Sequence, residues 1–170
     1  VEKYRILGVA GSDSSIVGDF YDQLNKLTEP QAQAVQYIEI GRRLAGDQMN
    51  LLDSALAVYH KAINLATDSM TIMTAYGEIG NVYMSKGEYR KARQIYVDEV
   101  LENPRCDDQR RVQFEYKVAD THFRDKSYQE AVKAFTAYVD KYPDNQFFTP
   151  PALFSLGKAK SALADYAGAK

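Results

Sequence analysis

Tryptophan is absent from this 170-residue chain, cysteine occurs once and histidine only twice. A single cysteine, Cys106, rules out an intrachain disulfide and any cysteine-based metal cluster. It lies in the polar stretch "NPRCDDQRR", where an incidental, exposed thiol is expected. Neither histidine, His60 nor His122, has an acidic partner at a metal-binding helical spacing, so no metal centre is expected. No run approaches the ~20 consecutive apolar residues that a membrane span needs. Excess charge of one sign is also missing. The 21 Lys and Arg and 23 Asp and Glu give a net charge of −2 and are mixed along the whole length. That balance argues against nucleic acid or a membrane surface as partner. There is no GxxxxGK[ST], no GxGxxG and no nucleophile elbow. The carboxylate pairs Asp98–Glu99 and Asp107–Asp108 sit among polar neighbours that would not raise a carboxyl pKa. The expectation is a protein that is not an enzyme and uses no cofactor.

What the chain has instead is apolar content (45 %), 13 tyrosines and an internal period. Small residues at 41, 80, 119 and 157 recur every 38 or 39 positions, and alanines at 55, 92, 131 and 169 follow at 37 to 39. Two markers that keep nearly one period point to stacked repeats, each too small to bury its apolar face alone. The fullest unit is "MTAYGEIGNVYMSKGEYRKARQIYVDEVLENP", residues 73–104. Tyr76, Ile79, Gly80 and Tyr83 fall on one face of a first helix. Gly87 suits the left-handed position that ends it. Ala92, Ile95, Tyr96 and Val100 stripe a second helix, and Pro104 follows. Gly80 and Ala92 are small, which lets the two helices approach closely.

In its spacing this unit resembles the tetratricopeptide repeat family, at Tyr76, Ile79–Gly80, Tyr83, Gly87-x-Tyr89, Ala92, Tyr96 and Pro104. The unit after it matches at Val118–Ala119, Tyr128, Ala131, Phe135 and Pro143, with Glu115 at the first aromatic position and His122 in place of the helix tyrosine. The unit before it has Tyr37, Ile40–Gly41, Leu44, Ala55, Tyr59 and Ala62, a turn two residues longer and no closing proline. The last unit has Leu153, Leu156–Gly157, Tyr166 and Ala169, and is expected to stop within its second helix. The resemblance implies an all-α, right-handed superhelical solenoid of antiparallel helix pairs. Three full repeats (about 34–67, 73–106 and 112–145) and a partial fourth (150–170) make up a repeat domain over 31–170. The period exceeds the family's usual 34 residues, and the lengthened repeats resemble those of bacterial envelope-assembly and cell-division factors.

The family binds partners along a groove formed by the first helices, just after the aromatic position and one turn later. Carried onto this chain, those positions are Ile38 and Arg42, Gly77 and Asn81, Tyr116 and Asp120, and Phe154 and Lys158. Met84, Phe123 and Arg124 lie one turn beyond. The resemblance thus implies a protein or peptide partner held in a groove of apolar anchors and single charges, although each aromatic could equally serve helix packing. The two-carboxylate clamp of chaperone-tail binders is not matched, because Ile38 and Arg42 replace its Lys and Asn, and Gly77 stands a turn before Asn81. The alternative reading is a structural segment that self-associates through its truncated last repeat.

Residues 1–30 belong to no repeat. "AGSDSS" matches the opening motif of hydroxymethylpyrimidine and pyridoxal kinases, but Ile16 and Val17 follow where that family continues with glycine. "YRILGV" resembles the start of a J-domain, whose His-Pro-Asp loop is missing. A capping helix over 16–27 is expected instead, with Ile16, Phe20, Leu24 and Leu27 as its apolar stripe and an N-cap at Asp13, Ser14 or Ser15. Thr28 and Gln31 have the spacing of a capping box for the next helix. Tyr4 to Val9 have strand-like character. The chain opens at Val1 and ends in "ADYAGAK", as expected of a segment from a longer, soluble, cytoplasmic or periplasmic protein.

Overall fold

The computed structural model of the protein describes Gly18 and residues 22–168, with side chains as far as Ala164. Tyr4–Val9, Ile16, Phe20, the proposed N-caps, Tyr166 as a side chain and Ala169 lie outside the described residues. Every regular element among those described is helical. They fall into two compact units, Val1–Lys86 and Gly87–Lys170.

The first unit contains α1 (Pro30–Ala45), α2 (Leu52–Leu65) and α3 (Ser69–Ser85). Helix α1 packs on α2 and also touches α3, while α2 packs on α3. The approach of α1 to α2 is set by one glycine. A Cβ placed on Gly41 would lie 2.4 Å from Cε1 and 2.6 Å from Cζ of Tyr59, which is far inside contact distance. Tyr59 is 1 % exposed and Ala55, one turn before it, is fully buried, so the ring of α2 rests directly on the backbone of α1. Burial of a ring this size is worth several kcal/mol, and its truncation costs about 3–5 kcal/mol in well-packed cores.

The capping box expected at Thr28 and Gln31 does not form. Glu29 occupies the N-cap of α1 without a side-chain bond. Gln31 faces the α2–α3 connection instead. Its Nε2 donates to Asp68 and to Thr71 Oγ1 (2.7 Å), and its Oε1 accepts from the Thr67 N–H (2.7 Å). Tertiary partners outcompete the local cap because Asp68 is itself the N-cap of α3, accepting from the Thr71 N–H at 2.8 Å. Ahead of α1, residues 22–24 are helical and Leu24 is buried, but the helix gives way to a turn before Leu27.

The second unit contains α4 (Tyr89–Ile95), which continues as a π-helical segment over Tyr96–Leu101. It is followed by α5 (Asp108–Arg124), α6 (Tyr128–Lys141) and α7 (Thr149–Gly168). Helices α5 and α6 pair, α6 packs on α7, and α7 also touches α5. The core is built on Ala119, Ala131, Phe135 and Tyr138, with Ala152 and Ala159 of α7 closing it. Ala131 and Phe135 repeat the Ala55 and Tyr59 pattern, both fully buried. The π segment buries Tyr96 and Val100, and the Tyr96 ring lies 5.3 Å from that of Phe114.

The two expectations corrected here have clear causes. Cys106 is buried, not exposed. The connection around it folds back, with the Cys106 N–H donating to Asn103 O at 2.9 Å, so its charged neighbours face water while the thiol faces inward and its pKa is raised by burial. The last unit shows no second helix among the described residues, because α7 runs unbroken to Gly168. The three earlier turns each use a residue at positive φ: Asn50 (47°), Gly87 (74°) and Lys126 (59°). Ala164 holds the position of Gly87 and Lys126, seven residues after the small residue. Alanine disfavours left-handed backbone and is the strongest helix former, so the helix continues.

Lys126 therefore carries a left-handed backbone that glycine would adopt without steric cost. Lys126→Gly is expected to raise the unfolding free energy by about 0.5–1 kcal/mol, read from the urea midpoint; an unchanged or lower midpoint would show that the turn is not strained.

Candidate partner-binding surfaces

The expected groove residues divide between the two units, and each surface is described by itself. In the first unit Ile38 is only 4 % exposed and takes no part in a surface. Helix α1 is held by both α2 and α3, which widens its buried stripe to Ala34, Ile38, Ile40, Gly41 and Leu44. Gly77 is buried as well. Arg42 remains exposed and Met84 is half-buried.

Arg42 and Asn81 are brought together by a residue the sequence reading passed over, Glu78. Arg42 Nε donates to Glu78 Oε1 at 2.6 Å, and Asn81 Nδ2 donates to Oε2 at 2.9 Å. Arg42 Nη1 also reaches Glu39 Oε1 at 2.5 Å. Glu39 and Glu78 both stand two residues before a repeat glycine, Gly41 and Gly80, so the periodicity itself carried the signal. The pairs raise the pKa of Arg42 despite its partial burial, which acts in the opposite sense. These groups rim a hollow of about 190 Å³ that also meets Ala45, Tyr59 and Ser85. The Tyr59 hydroxyl has its pKa pushed up by burial and then by the nearby Glu78 carboxylate. The donors Arg42 and Asn81 are thus paired with the carboxylate acceptors beside them.

In the second unit Tyr116, Asp120 and Arg124 lie on one face of α5. Arg124 Nε donates to Asp120 Oδ2 at 2.7 Å. The Tyr116 ring packs at 5.4 Å from Phe148 and at 5.9 and 6.1 Å from Tyr138 and Phe135. It is half-buried, and burial raises its hydroxyl pKa. Tyr116 thus serves packing and surface at once. Phe123 is half-buried, with its ring centre 6.0 Å from Tyr128. Phe154 is 64 % exposed and carries Lys158 Nζ over its ring at 4.4 Å. That stack fixes the aromatic face in water, a geometry worth about 0.5–1 kcal/mol at exposed sites.

Among the described residues no group of three or more His, Cys, Asp or Glu is placed to hold a metal ion. His60 is exposed. His122 is half-buried, with its Nδ1 buried and unpartnered. Its pKa lies below the ordinary 6.5, by burial first and then by the Arg93 guanidinium, with Glu130 and Asp125 acting the other way. Arg93 is itself held beside Thr121 Oγ1 (3.3 Å) and Asp125 (3.8 Å).

Models of the tetratricopeptide repeat family match residues 74–98 and 114–145. No curated protein matches the chain. No helix among the described residues is long and apolar enough to cross a membrane.

The depressed His122 pKa has a signed consequence. The unfolded chain binds that proton more tightly, so stability is complete above pH 6.5 and is lost as pH falls from there toward the folded-state value. Thermal unfolding followed from pH 7.5 to 5 is expected to show a falling midpoint in the native chain and a flatter profile in His122→Gln; parallel profiles would remove His122 as the cause.

Proposed function

Because the chain is a tetratricopeptide repeat protein, we propose that it is a non-catalytic interaction scaffold. It binds an extended or helical peptide of a partner protein on the surfaces formed by the first helices of its repeats. The observation that carries this reading is that the first helices of each unit leave polar or aromatic groups at the surface. Arg42 and Asn81 share the Glu78 carboxylate, while Phe154 is held in water by Lys158.

On the first unit Asn81, Arg42 and Ser85 supply hydrogen bonds to main-chain groups of a ligand; on the second unit Phe154 and Phe123 supply apolar contact. Asp120 and Arg124 set the preferred charge of the flanking side chains. Each ion pair is exposed on at least one side, so it contributes little stability and opens readily to a ligand. Charges of both signs on these surfaces favour a ligand of mixed sign, whose specificity comes from register.

Panning a library of random linear 16-residue peptides against the immobilised chain tests this. Enriched peptides are expected to bind with micromolar affinity, those on the first unit losing about tenfold on Asn81→Ala and those on the second on Phe154→Ala, since each removes a contact worth about 1 kcal/mol or more. No enrichment, or winners indifferent to both substitutions in folded protein, would overturn the assignment.

A further inference from the structure

The hollow beside Arg42 lies where two helices of the first unit end together. Its wall includes Ala45 and Ser85, the last residues of α1 and α3, with Gly46 beyond the first of them. Both helices therefore bring their negative ends to one space, and a helix C-terminus favours a cation. The last turn of α3 carries no basic residue, and Lys86, its C-cap, is engaged by Asp53 at 2.6 Å. The last turn of α1 carries Arg42 and Arg43. Arg42 answers two carboxylates, Glu78 at 2.6 Å and Glu39 at 2.5 Å, so the trio keeps one net negative charge.

A second observation is independent of charge. Tyr59 lines the hollow although only 1 % of it is exposed. No residue among those described hydrogen-bonds to its hydroxyl. A buried hydroxyl without a partner is costly, so one that opens on a cavity marks a place for a ligand atom.

The acceptors select among cations. Each Glu78 oxygen already accepts one bond, Oε1 from Arg42 Nε and Oε2 from Asn81 Nδ2. A guanidinium makes its parallel pair of bonds to both oxygens at once, and that edge is taken. An ammonium is compact and carries three donors. It can use a remaining lone pair of Glu78, the Tyr59 hydroxyl oxygen and Ser85 Oγ, while its four-carbon stem lies along Ala45 and Val82.

We infer that this hollow is a pocket for one lysine side chain of the bound peptide, its ammonium lodged between the Glu78 carboxylate and the Tyr59 hydroxyl. The inference rests on the first-helix surface of this unit as the place where a peptide lies, and adds which side chain that peptide must bring.

The probe is the end-capped pentapeptide Gly-Gly-Lys-Gly-Gly, titrated into the full chain and followed by the NMR signals of the Asn81 side-chain amide. Saturable, millimolar binding is expected. Norleucine in place of the lysine keeps most of the stem and removes the ammonium, and is expected to weaken binding by about tenfold or more. Arginine in its place is expected to bind less well than lysine. In the protein, Glu78→Gln is expected to cost about tenfold, and Tyr59→Phe, which removes only the hydroxyl and leaves the ring on Gly41, about fivefold. The norleucine comparison uses the native chain, so it decides even where a variant fails to fold. No saturable shift, or norleucine or arginine binding as tightly as lysine, overturns the lysine pocket. Library peptides that lose affinity on Asn81→Ala yet carry no lysine would overturn it too, and would leave the first-helix surface standing. Pentapeptide binding without any enriched library peptide would support the pocket and overturn that surface.

Discussion

An aromatic ring laid on a residue with no side chain to speak of is the contact on which the rest of this structure depends. At Gly41 the ring of Tyr59 comes closer to the neighbouring helix than a single methyl group would permit. That closeness fixes how α1 and α2 pair and places Arg42, the next residue, on the surface beside Glu78. In the second unit Ala119 and Phe135 occupy the corresponding positions, and both are buried. The repeated element is therefore less a helix pair than a seat and a ring, and the period of the sequence is the period of that seat.

This explains what could be read in the sequence and what could not. Glycine and alanine at seats, and alanine with an aromatic one turn later, are dictated by steric fit, so their spacing survives in a single sequence. Ile38 was misplaced because its burial depends on two helices gripping α1, and counting along one repeat does not contain the second helix. Cys106 was misplaced because its charged neighbours describe the connection's outer side only. The unbroken α7 turned on Ala164, a one-residue departure from the positive-φ position held by Gly87 and Lys126. The sequence points to Gln31 as a local cap and does not single out Glu78, because the partners of both lie on other elements. Local composition gives no hint of a hydrogen bond spanning 36 or 37 positions.

The surfaces left by this architecture carry charges of both signs. On the first helices charges are paired internally, Arg42 with Glu39 and Glu78, Arg124 with Asp120. Such a surface offers shape and hydrogen bonds with little long-range field, and suits a ligand held in register by its main chain.

A double-mutant cycle on Gly41→Ala and Tyr59→Val, followed by urea unfolding, measures the ring-and-seat contact directly. If the ring occupies the space a Cβ needs, Gly41→Ala costs about 1–3 kcal/mol in the native background and close to nothing once valine has cleared the site. An equal cost in both backgrounds would contradict the account, because the glycine would then be required for its backbone and not for the ring above it.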